Sequence, residues 1–371
     1  MTGGGFPTYE AERALAAARA EGIEPVPLAG TPSPALPDHV VEAVAAVLAR
    51  PMTAPPSRGL VDLRDVLSAE LRQSTGRAVD PGAELVVTNG AMHALALCFR
   101  SLVRPGDEVV VPAPCFFFEG PIRAAGATPV YVQTSPADGW RWDPEALEAA
   151  IGSRTTALLL CNPGNPTGHV PSREEVADTV RVAERHGLLV VTDEAYEAAL
   201  WDGAALSSAF GLSDDVVVVR SLGKSLSLPQ LRLGIVSGPA VRIAECARAL
   251  EWDCLRVDLA AQTAALAVLE GPRDWLDTVH AALVVDRAAA LAAVEATPGL
   301  CAAVPSAAPF LFVHAASGEA VGGALARAGV PVVDGVHFQA PGYARLPFSG
   351  AAQAAEALVA ALARWATGAP R

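Results

Sequence analysis

The chain has 371 residues, with 27 Lys and Arg against 40 Asp and Glu, so its formal charge is −13. This acidic balance excludes a general nucleic-acid binder, because such proteins draw most of their affinity from Lys and Arg on phosphates. Hydrophobic residues make up 51% of the chain, which is ample for a core, but no apolar run reaches the roughly 18 residues of a membrane helix. We therefore expect a soluble protein of about two domains with no membrane contact.

The cysteines, histidines and amino terminus give no targeting or metal signal. The six cysteines are scattered without a C-x-x-C pair, as in proteins of a reducing compartment. The seven histidines never fall at metal-ligand spacing, and no basic segment followed by an apolar one marks a signal peptide. The sequence predicts a cytoplasmic protein without a bound metal.

From about residue 38 the sequence alternates between helix-like and strand-like segments. Two helices are predicted first, at Asp38–Arg50 and Gly59–Thr75. Seven short runs then read as strands buried on both faces: Glu84–Val87, Glu108–Val111, Thr128–Val132, Ala157–Cys161, Leu188–Thr192, Val216–Arg220 and Leu233–Ser237. Helices are predicted between several of them: Met92–Leu102, Phe118–Ala125, Pro144–Ala150 and Arg173–His186. This pattern is typical of an α/β domain with a mostly parallel sheet.

The pattern changes after about residue 240. Long Ala-rich helices are predicted at Val241–Leu250, Ala260–Leu269 and Trp275–Ala296, and a last helix at Ala351–Ala366. Strands are predicted at Phe310–His314 and within residues 330–348. We expect a large domain over residues 46–265 and a smaller α+β domain built from residues 1–45 and 266–371.

A lysine and an arginine follow one of the predicted buried strands, in the segment Ser221-Leu-Gly-Lys224 and eight residues later at Arg232. A lone loop lysine is most often solvated. In an apolar setting, however, desolvation lowers the pKa of the amine and makes it a nucleophile toward an aldehyde cofactor. Arg232 offers a bidentate fork for a phosphate.

Three other polar segments also follow predicted strands. They are Cys161-Asn-Pro-Gly-Asn165-Pro-Thr-Gly168, Thr192-Asp193-Glu-Ala-Tyr196 and Thr88-Asn-Gly90-Ala91-Met92-His93. The last of these starts a predicted helix, whose first amides favour an anion. Ligands of open α/β sheets bind at the carboxyl ends of strands, so the sequence predicts one site built from all four segments.

These motifs, S-x-x-K-(x7)-R-x-G with N-P-x-N-P-T-G and D-x-x-Y, resemble those of class I/II aminotransferases of fold type I. This is the superfamily of aspartate aminotransferase, which depends on pyridoxal 5'-phosphate (PLP). The resemblance runs over nearly the whole chain, from Leu28 to Leu346. It implies an α/β fold with a mostly parallel seven-stranded sheet flanked by helices, plus a smaller α+β domain. It also implies a homodimer that transfers an amino group between an L-amino acid and a 2-oxo acid.

The resemblance implies a catalytic role for Lys224, Asp193 and Tyr196. Lys224 would form an aldimine with PLP and move the proton between the substrate Cα and the cofactor. Asp193 would pair with the pyridine nitrogen and keep it protonated. Tyr196 and Asn165 would donate hydrogen bonds to the phenolic oxygen of the cofactor.

The resemblance also assigns binding roles. The cofactor phosphate would be held by the residues Gly90, Ala91, Met92, Ser221 and Arg232. Phe116, the second residue of Cys-Phe-Phe-Phe, would stack on the cofactor ring. The substrate would be bound by Gly30, Asn165 and Arg345, with the arginine holding the α-carboxylate.

The sequence departs from the family pattern at several positions. Ala54 stands where the family usually has a tyrosine that reaches the partner subunit's phosphate, and either the contact is missing or Arg58 or Arg256 supplies it. Gly223 precedes the lysine where serine is common. Glu119 stands where many members have Tyr or His, and it either faces a cation or is solvated. No arginine for a second substrate carboxylate can be identified, so the sequence does not specify a dicarboxylate substrate.

Other functions are weighed against this one. A PLP-dependent lyase, cyclase or oxidase of specialised metabolism would use the same Lys224, Asp193 and Arg345, because these reactions share the Cα carbanion. The alanine at position 54 raises this alternative. The effector domain of a transcription regulator would need a DNA-binding segment, and no basic helical pair precedes Gly30.

Overall fold

The computed structural model describes residues 7–51 and 54–368. Met52 and Thr53, which precede Ala54, lie outside the described residues. So do residues 1–6 and 369–371 at the two ends of the predicted small domain.

Helices and strands alternate along most of the described chain. The helices are α1 (Pro7–Ala20), α2 (Asp38–Leu48), α3 (Val61–Thr75), α4 (Ala91–Leu102), α5 (Glu119–Ala124), α6 (Pro144–Ala149), α7 (Arg173–Arg185), α8 (Leu222–Ser225), α9 (Ala240–Cys254), α10 (Leu259–Glu270), α11 (Asp274–Glu295), α12 (Gly322–Arg327) and α13 (Ala355–Thr367). The strands are β1 (Leu85–Thr88), β2 (Glu108–Ala113), β3 (Thr128–Gln133), β4 (Thr155–Cys161), β5 (Leu189–Asp193), β6 (Val216–Arg220), β7 (Gly234–Ser237), β8 (Leu300–Ala302), β9 (Phe310–Ala315), β10 (Val333–Asp334) and β11 (Tyr343–Pro347).

The larger sheet has seven strands in the order β1-β7-β6-β5-β4-β2-β3. The pairs from β6 to β3 are parallel, and β7 runs antiparallel to both of its neighbours. β6 begins with four valines that are fully buried, as expected for a strand covered on both faces. The predicted mostly parallel seven-stranded sheet is therefore confirmed.

The register of this sheet brings several chain segments to one edge. Cys161 at the end of β4 pairs with Asp193 at the end of β5, and β6 ends beside them at Arg220. β1 and β6 both run antiparallel to β7, so Thr88 at the end of β1 reaches the same edge. Segments that are far apart in the sequence therefore follow one another along this edge.

A second, antiparallel sheet has the order β10-β11-β9-β8. Its core contains Leu311, Val313 and Leu346 from the strands, together with Leu358 and Leu362 of α13. Helix α1 packs against α12 and β10 of this unit, whereas α2 packs against α10 and places its Val40 in the core of the large sheet. The smaller α+β unit agrees with expectation, and the domain boundaries themselves remain a prediction.

Four elements, α1, α8, β8 and α12, do not appear among the predicted ones. The expected strand region over residues 330–348 is interrupted, because the side chain of Asp334 accepts a hydrogen bond from the Val336 amide (3.0 Å) and starts a turn at Gly335–Phe338. Within the described part of the chain, no helix combines the length and apolar character that a bilayer span requires.

Candidate active site

Lys224 lies on the short helix α8, directly after β6. Its amide donates to the Ser221 carbonyl (2.9 Å), which begins this helix. The half-buried amine lies 3.8 Å from the ring centre of Tyr196 and 5.8 Å from that of Phe116. The ring faces attract the ammonium group, so they hold this amine at the sheet edge.

Asp193 is the last residue of β5 and is almost fully buried. One of its carboxylate oxygens accepts a hydrogen bond from the Ala195 amide (3.1 Å). Burial raises the pKa of Asp193 to about 6, while the charge of Lys224 and the Ala195 hydrogen bond oppose that rise. A cationic group placed beside this carboxylate would therefore gain a strong partner.

The amino terminus of α4 and Arg232 form one candidate anion site. Gly90 has a φ of +83° and precedes the first turn of α4, which begins with Ala91 and Met92. A Cβ at Gly90 would lie 3.0 Å from Nη2 of Arg232, so the guanidinium lies against this turn. Arg232 makes no hydrogen bond or ion pair with the other described residues, which leaves its donors available together with the helix amides.

Arg345 extends from β11 toward the loop that follows β4. It donates a hydrogen bond from Nη1 to Oδ1 of the buried Asn165 (2.9 Å). The centre of its guanidinium lies 4.2 Å from the Phe310 ring centre and 5.0 Å from that of Phe338. Burial lowers the pKa of Arg345 to about 10, so the side chain stays cationic at neutral pH.

The guanidinium of Arg345 retains unused donors. Its Nε is buried and has no partner among the described residues. A buried cation without an acidic partner is expensive, and a bound carboxylate would offset that cost.

Gly30 and Phe116 lie at the borders of the same region. A Cβ at Gly30 would lie 2.7 Å from the ring of Phe310, so a larger residue here would require that ring to shift. Phe116 stacks on Phe117, with 4.5 Å between ring centres, and stays half-buried, whereas Phe117 and Phe118 are buried. Phe116 is thus the member of this cluster with a face available to a ligand.

The positions that depart from the family pattern are also accounted for. Ala54 is exposed. Arg58 donates from Nη1 to the carbonyls of Gly82 and Ala83 within its own chain, at 3.3 and 3.1 Å, which directs part of its guanidinium to the protein backbone. The Arg256 side chain has no hydrogen bond or ion pair with other described residues.

Glu119 forms an exposed ion pair with Arg123 on its own helix, with 2.5 Å between Oε1 and Nε. Gly223 packs against the carbonyl of Leu228. A Cβ at Gly223 would lie 3.2 Å from that carbonyl oxygen, so a larger residue would crowd the turn.

The structure places every predicted site residue at the carboxyl edge of the large sheet or against it from the small unit. A cavity of about 250 Å³ opens beside Lys224 and Tyr196, and Asp277 and His280 of α11 also line it. Phe310 and Phe338 around Arg345 are additional site residues that the sequence analysis did not identify. Their ring packing depends on strands brought in from the carboxyl-terminal part of the chain, and no local motif marks them.

Comparison with known proteins identifies the family of this chain. The family model for aminotransferase class I and II matches residues 29–362. The aspartate/prephenate aminotransferase of Thermus thermophilus is 34% identical over 342 residues, which is 89% of this chain and 88% of that protein.

Two solved structures have the same fold. The aspartate aminotransferase from Thermus thermophilus with maleate has a TM-score of 0.91 and 30% identity, covering 98% of this chain and 97% of that one. The aromatic aminotransferase from Pyrococcus horikoshii OT3 has a TM-score of 0.86 and 25% identity, covering 95% and 98%. Since the family match spans most of the sequence, this chain belongs to the class I and II aminotransferases, enzymes that transfer an amino group between an amino acid and an oxo acid.

Proposed function

We propose that this amino transfer uses pyridoxal 5'-phosphate and that Lys224 is the amine that holds the cofactor and moves the substrate proton. The observation that carries the proposal is the position of Lys224, which is the only lysine in the chain. Its amine lies at the sheet edge between the rings of Tyr196 and Phe116, next to the buried Asp193.

The residues present fit the cofactor. Arg232 and the first turn of α4 offer donors for its phosphate, and Phe116 has a free ring face. Asp193 is a buried carboxylate that suits a protonated ring nitrogen. When bound, PLP supplies the electron sink that stabilises negative charge at the substrate Cα.

Each residue then has a defined task. Arg345 and Asn165 bind the α-carboxylate of the amino acid, which orients its Cα. Lys224 accepts the Cα proton and later returns it. Tyr196 lies against the amine and limits where it can move. The buried walls around them exclude water from the reacting atoms.

We also propose that the enzyme works as a homodimer in the cytoplasm. Large apolar side chains, including Trp252 and Leu255, are exposed near the phosphate site, as expected for an interface. The six cysteines are all unpaired, as is usual in a reducing compartment.

The proposal is tested by borohydride reduction of the PLP-loaded protein followed by mass spectrometry. Because the chain has one lysine, we expect one reduced cofactor per chain, on the peptide that contains Lys224. Lys224→Ala should remove this label and lower the half-reaction rate by about 10³-fold or more. Ser225→Ala, which changes the neighbouring residue, is the matched control and should keep the label.

The substrate is then identified by mixing the loaded enzyme with single amino acids, including aspartate and phenylalanine, without an oxo acid. Amino transfer predicts one equivalent of oxo acid per site and no ammonia. Continuous release of ammonia would instead indicate an elimination or oxidation reaction. A label on any residue other than Lys224 would contradict the proposed role of this lysine.

A further inference from the structure

A buried ion pair lies directly behind the candidate active site. Arg220 contacts Oε2 of Glu194 through both Nη2 (2.9 Å) and Nε (3.2 Å), and both side chains are more than nine-tenths buried. Glu194 follows Asp193 in the sequence, and Arg220 precedes Ser221. The pair therefore lies one residue along the chain from the proposed cofactor site, at the ends of the adjacent strands β5 and β6.

The remaining polar atoms of the pair are also bonded. Oε1 of Glu194 accepts a hydrogen bond from the hydroxyl of Ser208, and Nη1 of Arg220 donates to the hydroxyl of Ser74 (3.0 Å). The amide of Glu194 donates to the Val219 carbonyl (2.8 Å). These bonds join the ends of β5 and β6 to α3 and to the turn at residue 208.

A further carboxylate, that of the half-buried Glu197, interacts electrostatically with Arg220. Oε2 of Glu197 is buried and has no hydrogen-bond partner among the described residues. Burial raises the pKa of Glu197 to about 7, and the charge of Arg220 is the largest influence that opposes this rise. The charge of Arg220 thus acts on both Glu194 and Glu197, which directly follow Asp193 and Tyr196 in the sequence.

We propose that Arg220, acting through Glu194, is a positioning residue for the active site. The pair fixes the ends of β5 and β6, so that Asp193 on one strand and Lys224 after the other face the cofactor in a constant geometry. Arg220 itself does not touch the cofactor or the substrate. This inference rests on the proposed PLP chemistry of the same site.

A buried ion pair could serve fold stability alone, and the two roles predict different results. Removing one partner leaves a buried charge unpaired, which destabilises the fold. Replacing both partners by neutral side chains relieves that cost. The double variant with two neutral side chains still lacks the two charge-assisted hydrogen bonds between the strand ends. If the pair positions the active site, the double variant therefore recovers stability but not the geometry of the site.

The experiment compares the PLP-loaded wild type with Arg220→Met, Glu194→Gln and the double variant. Three quantities are measured. They are the PLP dissociation constant, the midpoint pH of a titration followed by the visible absorbance of the bound cofactor, and the melting temperature of the cofactor-free protein. Arg287→Met is the control, because Arg287 is a buried arginine in an ion pair with Asp202 that lies outside the cofactor site.

We expect each single variant to bind PLP about tenfold or more weakly and to shift the absorbance midpoint by about half a pH unit or more. The double variant should regain the wild-type melting temperature but keep the weaker PLP binding and the shifted absorbance midpoint. Arg287→Met should lower the melting temperature alone. If a single variant does not fold, the double variant still carries the test.

The inference is overturned if the double variant regains wild-type PLP affinity and absorbance midpoint together with its melting temperature. It is equally overturned if the single variants change only the melting temperature. Both outcomes leave the wild type loading PLP on Lys224. A wild type that fails to load PLP would contradict the proposed function itself.

Discussion

At the scale of single residues, the site combines groups whose charges are costly to bury. Asp193 is buried with one amide donor, and Arg345 is surrounded by aromatic rings with one amide oxygen as partner. Each of these groups lacks a full complement of partners in the protein alone. A cationic ring nitrogen would pair with Asp193, and a carboxylate would pair with Arg345. Because both side chains are buried without such partners, their burial favours the binding of ligands that carry these groups.

Asp193 should make the stability of the cofactor-free protein depend on pH. Its pKa is raised to about 6 from an ordinary value of 3.8, so the native state holds a proton that the unfolded chain loses between these values. Its contribution to stability is therefore present at low pH and is lost as the pH rises through about 6. Relative to Asp193→Asn, the free energy of unfolding of the wild type should fall by about 1 kcal/mol between pH 5 and pH 7.

This difference is measured by urea denaturation of both cofactor-free proteins at the two pH values. Other titrating groups, including Glu197, are present in both proteins and cancel in the comparison. If the free energy of unfolding of the wild type relative to Asp193→Asn does not change with pH, Asp193 is ionised throughout this range.

At the scale of elements, the anion site depends on close contact between β7 and the start of α4. A Cβ at Gly234 would lie 2.7 Å from the Arg220 carbonyl oxygen and 2.8 Å from the Ala91 nitrogen. Both of these atoms belong to the backbone, so neither can move aside without moving its element. Gly234 therefore sets how closely the turn that we propose for the phosphate lies to the strand that precedes Lys224.

Gly234→Ala should displace this turn. We expect a loss of about 1–3 kcal/mol in the free energy of unfolding, as for other overpacked sites, together with weaker binding of inorganic phosphate and PLP. Gly120→Ala is the matched control, because a Cβ there meets no atom within 4 Å and Gly120 lies in helix α5. The control should be neutral or slightly stabilising.

Calorimetry measures the loss in the free energy of unfolding, and equilibrium dialysis measures the binding of phosphate and PLP. Unchanged phosphate affinity in Gly234→Ala would mean that the turn adapts and that its contact with β7 does not position the amides.

At the scale of the whole molecule, one face near the site is unusually apolar. Trp252 is 87% exposed and Leu255 is 63% exposed at the end of α9. This end of α9 touches the site, since Asn89 donates to the sulfur of Cys254 (3.5 Å), and the segment that follows Ala54 reaches it through a hydrogen bond from Ser57 to Glu251 (2.7 Å). A partner subunit on this face would cover apolar surface and lie beside the anion site.

Trp252→Asp should therefore convert dimers to monomers at micromolar concentration, because a buried unpaired carboxylate would oppose association. Val241→Asp is the control: Val241 is also highly exposed and lies about 16 Å away along the same helix. Multi-angle light scattering gives the masses. A monomeric wild type, or equal effects of the two variants, would contradict a dimer through this face.

The sequence by itself determined the parts of this protein that rest on local pattern. Valine-rich runs predicted the parallel sheet, because a strand covered on both faces must be apolar on both. Lys224, Asn165 and Asp193 were identifiable because each belongs to a short motif that follows a strand. Helix α1 and the short elements α8, β8 and α12 were not, since their patterns are weak and their formation depends on packing.

Only the tertiary structure decided how the two ends of the chain complete the site. Gly30 and Arg345 are more than 300 residues apart, and both meet at the ring of Phe310. The antiparallel β7 and the ion pair between Glu194 and Arg220 likewise follow from which strands become neighbours. Local sequence encodes backbone preference and residue chemistry, whereas these contacts depend on the packing of distant segments, which no local pattern records.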